Sequence, residues 1–212
     1  MIKKIQYLET NIYGTTNLLI NLRNLWLDLA IWTRNYMVSI ISGFGNANSV
    51  GERLYRIPID FYGRLQMIFG SQRAQGFVNL LSQHIVLMMN TVGSMKNRDN
   101  DALNQNTQLL YQNSKDIAGY LVGLNPYWTT TQWNTLLEQY INMTLQEMVA
   151  LASGDFERDI DIFDRITYYT VFLADYLTEG IVQYITFKQE PPAPIPPQVP
   201  QTAPAPSMPI VP

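Results

Sequence analysis

Apolar residues in this chain recur at steps of three and four, and nowhere alternate in the period of two that a half-buried strand needs. Leu18, Leu22, Leu25, Trp26, Leu29, Trp32, Tyr36, Met37 and Ile40 set the pattern of one amphipathic helical face. It returns with Phe77, Leu80, Leu81, His84, Leu87, Met88 and Val92, and again with Leu103, Leu110, Ile117 and Leu121. Trp133, Leu136, Leu137, Tyr140, Ile141 and Met148 form a fourth face, and Ile160, Phe163, Val171, Ala174, Ile181 and Ile185 a fifth. The spacing predicts an all-α protein, an antiparallel up-and-down bundle of four to five long helices plus one short helix.

Helix-breaking residues fall between these faces. Ser42-Gly43-Phe44-Gly45-Asn46 ends the first helix. Ser49 followed by Glu52 has the spacing of a capping box and predicts a short helix from there to about Arg56. Pro58 cannot continue it and disfavours α geometry at Ile57, so a break is expected there, with a restart near Ile59 or Asp60. Gly70 marks a bend, and Lys96 to Asn100 a polar connection. Asn125-Pro126 and Ser153-Gly154 close the third and fourth long helices, and the fifth runs to about Lys188.

The composition changes after Glu190. Ten of the twelve prolines lie between Pro191 and Pro212, and no charged side chain follows Glu190. Such a stretch has too few large apolar groups to offset the entropy of ordering. Residues 1–189 are therefore expected to be the bundle, and residues 190–212 a disordered segment of polyproline II character. Pro191, Pro192, Pro194, Pro196 and Pro197 are the candidate partner-binding residues if that segment is a ligand for an aromatic groove. The other reading is an inert spacer.

Charged residues make up 15% of the chain against about 25% in typical soluble proteins, so its surface must rely on Asn, Gln, Ser and Thr. A net charge of -3 gives no basic footprint for nucleic acid. Without cysteine there are no disulfides, thiolates or Cys-based zinc sites. The longest charge-free stretch, Ala74 to Met95, is interrupted by Gln75, Asn79, Gln83, His84 and Asn90, which a lipid-facing helix would not tolerate. Lys3 and Lys4 are followed by Glu9 before any apolar signal region forms, so no transmembrane segment or export signal is expected, and a cytoplasmic location is.

No phosphate-binding glycine loop or serine nucleophile elbow occurs. The sole histidine, His84, sits within an apolar stripe, where bundles place metal ligands but also hydrogen-bonded core histidines. Its metal-binding helpers would be Asp164, Asp175 or Glu138. Asp164 and Asp175 share a stripe but stand roughly 16 Å apart along the axis, too far for one metal. The acidic residues, Asp60 and Glu147 among them, are expected to cap helices, face water or pair with Arg34, Arg53, Arg56 or Arg165. No cofactor is expected.

Leu25-Trp26, Trp32-Thr33-Arg34, Arg56-Ile57-Pro58-Ile59-Asp60-Phe61, Gln83-His84, Asn125-Pro126-Tyr127-Trp128, and Ala174-Asp175 with Glu179-Gly180-Ile181 resemble the motifs of a family of small bacterial helical-bundle proteins without an established activity. The resemblance spans roughly residues 22–187 and marks Trp26, Trp32, Arg34, Pro58, Asp60, Asn125, Pro126 and Trp128 as structural positions. Some members carry an acetylglutamate kinase label, yet the nucleotide-binding sequence of an amino-acid kinase is not present here. Members often place histidines in the first and fourth long helices. The matching positions here are Leu29 and Tyr140, which implies packing motifs kept and a potential ligand set reduced to His84.

The function expected is non-enzymatic, through a homo-oligomer, a protein partner or a place in a coat or shell. The alternatives are a ferritin-like metal- or cofactor-binding bundle using His84, and an adaptor recruiting partners through its proline-rich segment.

Overall fold

The computed structural model describes the backbone of residues 2–188 and the side chains of residues 14–187. Among the described residues it is helical throughout: α1 (Ile2–Ser42), α2 (Ala47–Leu54), α3 (Ile57–Phe69), α4 (Ser71–Asn97), α5 (Asn100–Leu124), α6 (Thr130–Ser153) and α7 (Phe156–Lys188). Five are long, as the apolar spacing predicts, and two are short where one was expected. The proline-rich segment, with its candidate residues Pro191, Pro192, Pro194, Pro196 and Pro197, lies outside the described residues.

Helix ends follow the local chemistry. Asp99 and Thr129 cap α5 and α6 by accepting from Ala102 N at 3.0 Å and Gln132 N at 3.2 Å. Gly154, at φ 78°, ends α6 in the left-handed conformation that glycine adopts without a Cβ clash. Two expectations need correction. The Ser49–Glu52 capping box does not form, because Gly43 and Gly45, both at positive φ, turn the chain early. Asn46 then accepts from Val50 N through its backbone carbonyl, and Ser49 falls inside the first turn of α2. Nor does the helix wait until Ile59: α3 starts at Ile57, with Pro58 in the first turn, where its missing N–H is one that no helix carbonyl would have accepted.

The short helices form one broken leg. Arg53 contacts Asp28 and Arg64 contacts Asn21, so α2 and α3 together run back antiparallel to α1. The chain thus makes six alternating legs, with α4 returning parallel to α1 and α5, α6 and α7 alternating after it. α7 closes the ring by packing antiparallel on α1, where Arg23 forms a bidentate pair with Asp175 at 2.7 and 2.8 Å.

The core has two parts. The larger is built around Trp26, Phe61, Phe77, Trp133 and Tyr140, with Trp26 meeting Phe61 edge-on at 5.5 Å. The smaller surrounds Met37, Met88, Val92, Leu110 and Met148 near the end of α4. No described helix is long and apolar enough to cross a membrane.

Candidate functional site

The densest polar chemistry in the interior centres on Arg34. Its guanidinium, carried by α1, binds Asp159 of α7 bidentately at 2.6 and 2.7 Å and Glu147 of α6 at 2.5 Å. Phe163 lies under it, with the guanidinium carbon 4.7 Å from the ring centroid. Both carboxylates are almost fully buried. One cation therefore faces two anions in a water-poor site. Burial raises the Glu147 carboxyl to about 7, against the pull of Arg34 and with a smaller push from Asp159. Burial also opposes the charge on Arg34, but its hydrogen bonds to Asp159 and Glu147 outweigh that and its pKa is raised.

Next along α6 stands Tyr140, buried. Burial, and then Glu147, push its ionisation upward, although the hydroxyls of Thr33 and Thr144 favour the phenolate. Tyr140 and His84 both border a small cavity whose other walls include Trp26, Leu29 and Ser114. It has about 10 Å³ of room, the scale of a single water and far below the roughly 300 Å³ at which ligand pockets begin.

His84 Nδ1 lies 3.0 Å from Asn113 Oδ1. Asn113 in turn donates through Nδ2 to Leu80 O at 3.1 Å, which turns its carbonyl toward the ring. The imidazole is therefore the Nδ1–H tautomer. Burial lowers its pKa to about 4, only partly opposed by the Asn113 bond.

The residues singled out as possible metal ligands stand apart. Asp175 is engaged by Arg23 at the α1–α7 seam. Asp164 is exposed, and Glu138 is half-buried on α6, close enough to act on Tyr111. Among the described residues no three histidines or carboxylates gather as a metal site. Leu29 and Tyr140 border the same cavity as His84.

Of the expected Arg partners, Arg34 takes Glu147, and Arg53 takes Asp28 at 3.3 Å and Asp60 at 3.6 Å. Arg23 and Asp159 were not among the residues singled out. Asp159 had a signal: it lies on the same helical stripe as Ile162, Ile166 and Leu173, a charge in line with buried residues.

The motif residues make the following contacts. Trp32 stacks under Arg53 at 5.0 Å. Pro58 and Asp60 open α3. In the connection before α6, Asn125 is buried and its side chain accepts from Tyr127 N at 3.0 Å. Trp128 Nε1 donates to Tyr176 O at 3.1 Å, directly over Gly180, where a Cβ would lie 1.9 Å from that nitrogen. The Asn125-Pro126-Tyr127-Trp128 and Glu179-Gly180-Ile181 stretches thus meet in one contact.

The surface is different in character. Phe156, Ile160, Tyr168 and Phe172 of α7 are 60, 55, 76 and 61% exposed. They follow one another in steps of four, with exposed Asp164 between Ile160 and Tyr168, and so form two apolar pairs spread over about 24 Å of α7 and winding about 160° around it. No family model, curated protein or solved structure matches this chain.

Proposed function

We propose that this protein is a non-enzymatic helical bundle that acts by associating with further copies of itself, or with another protein, through the outward face of α7. The observation that carries the reading is the exposed stripe of Phe156, Ile160, Tyr168 and Phe172. Large apolar residues scattered singly over a surface need no explanation, but Phe156 with Ile160 and Tyr168 with Phe172 make two exposed apolar pairs one turn either side of Asp164, a surface of the kind that partners cover. The weak surface charge supports the same reading, since copies repel one another little. The interior offers a complementary argument: its buried acids and histidine are held by Arg34 and Asn113, and its cavity is the size of one water.

Light scattering across micromolar concentrations tests this. The full chain is expected to show mass above 24.3 kDa, and Phe172→Glu to return it toward monomer without loss of helicity. A chain that stays monomeric, and for which Phe172→Glu changes no binding, would sink the reading.

A further inference from the structure

At the end of the bundle where α1 begins and α7 stops, a second surface has a different design. Leu18 of α1, Met67 and Ile68 of α3, and Val182 and Ile185 of α7 form the floor of an open groove of about 370 Å³. Met67 is 71% exposed and Ile185 36%, so the floor is accessible. On the rim stands Arg64, with five N–H donors, one of which goes to Asn21 Oδ1 at 3.2 Å.

We propose that this groove is the docking site of the chain's own proline-rich segment, residues 191–200. Three observations converge on that occupant. The first is chemical. The run Pro-Pro-Ala-Pro-Ile-Pro-Pro-Gln-Val-Pro has few backbone N–H groups and no charge, so it presents apolar rings and unpaired carbonyls. Proline rings pack on an apolar floor and their carbonyls accept from side-chain donors at its edge; here aliphatic Leu18, Met67 and Ile185 supply the floor in place of aromatic rings, and Arg64 the donors.

The second is position. Thr186 lines the groove, α7 ends at Lys188, and Pro191 follows three residues later. The three residues from Lys188 to Pro191 span up to about 11 Å, comparable with the roughly 10–12 Å diameter of a helix. The third is concentration: a segment tethered this closely faces its site at an effective millimolar level, so that even weak intrinsic affinity fills it. The groove volume lies within the range of clefts that hold a few residues of ligand.

This surface is separate from the outward face of α7, and its test is independent of the oligomer measurement. The absence of cysteine makes Gln198→Cys a unique spin-label site in the full chain. With methionine methyls labelled, the Met67 signal is expected to lose at least half its intensity relative to the reduced label. Met95, at the far end of α4, should keep its own. Adding Ile185→Glu to the same labelled chain should restore Met67 at least twofold, and tenfold dilution should leave the effect unchanged. Equal broadening of Met67 with and without Ile185→Glu would overturn the proposal, because proximity of the tether would then explain it. Broadening that appears only between copies, in a mixture of spin-labelled and methyl-labelled chains, would overturn docking within one chain.

Discussion

At the scale of single residues, two buried groups titrate in opposite directions. Glu147 has a folded pKa of about 7, above its ordinary 4.5, so the folded state holds the extra proton between those values. Stability from this group rises as pH falls from about 7 to 4.5. His84 has a folded pKa of about 4, below its ordinary 6.5, so the unfolded chain binds the proton first. Its contribution is fully present above 6.5 and is lost as pH falls toward 4. Each shift corresponds to something on the order of 3 kcal/mol over its window. Urea denaturation between pH 4 and 8 should therefore show the two offsetting each other from about 6.5 to 4.5. Glu147→Gln should uncover a decline below pH 6.5, and His84→Gln a rise as pH falls from 7. Identical pH profiles for the parent and Glu147→Gln would contradict this assignment. Arg34→Ala leaves two buried carboxylates without their cation and is expected to cost about 3–5 kcal/mol, read as a lowered denaturation midpoint.

At the scale of elements, the apolar period was legible because each long helix buries one stripe against its neighbours, and the stops were legible where glycine or Asn-Pro interrupts it. What could not be read were starts set by something outside the helix. Ser49 has the residues of a cap, but the turn made by Gly43 and Gly45 brings α2 in earlier and leaves Ser49 no end to cap. The same limit hid the role of Gly180, whose neighbours in sequence say nothing of an indole arriving from 52 positions away. Gly76 repeats the device: Tyr120 Oη donates to Arg73 O at 2.8 Å, and a Cβ at Gly76 would lie 2.0 Å from that oxygen. In each case a helix lacks one side chain so that an aromatic residue can rest on it and bond its carbonyl. Gly180→Ala should cost about 2–4 kcal/mol, since the indole must leave both its packing and its acceptor. Thermal denaturation measures this, and a loss below about 0.5 kcal/mol would mean that Trp128 can move aside freely.

For the whole molecule, α1 is the element that the others surround: α2, α3, α4, α6 and α7 all pack on it. Its stripe of Trp26, Leu29 and Met37 was visible in the sequence, but the way Arg34 ties it to α6 and α7 was not, because the two carboxylates lie 113 and 125 positions away. The surface stripe of α7 was equally hidden, since Phe156, Ile160, Tyr168 and Phe172 look like core residues until the opposite face of α7 is seen to be full. The two short helices of the return leg have fewer turns than the rest. Amide exchange is expected to be faster through Val50 to Leu54 than through the middle of α4 or α6. Equal protection in all three would show that the broken leg opens only with global unfolding.

Six alternating legs have a directional consequence. An even number of legs leaves the beginning of α1 and the end of α7 at the same pole, so the protein has a head and a foot. Side-by-side assembly along α7 then has two outcomes with different sheets of matter: copies related by translation would display every proline-rich segment on one surface, and copies related by a two-fold axis across α7 would display them alternately on both.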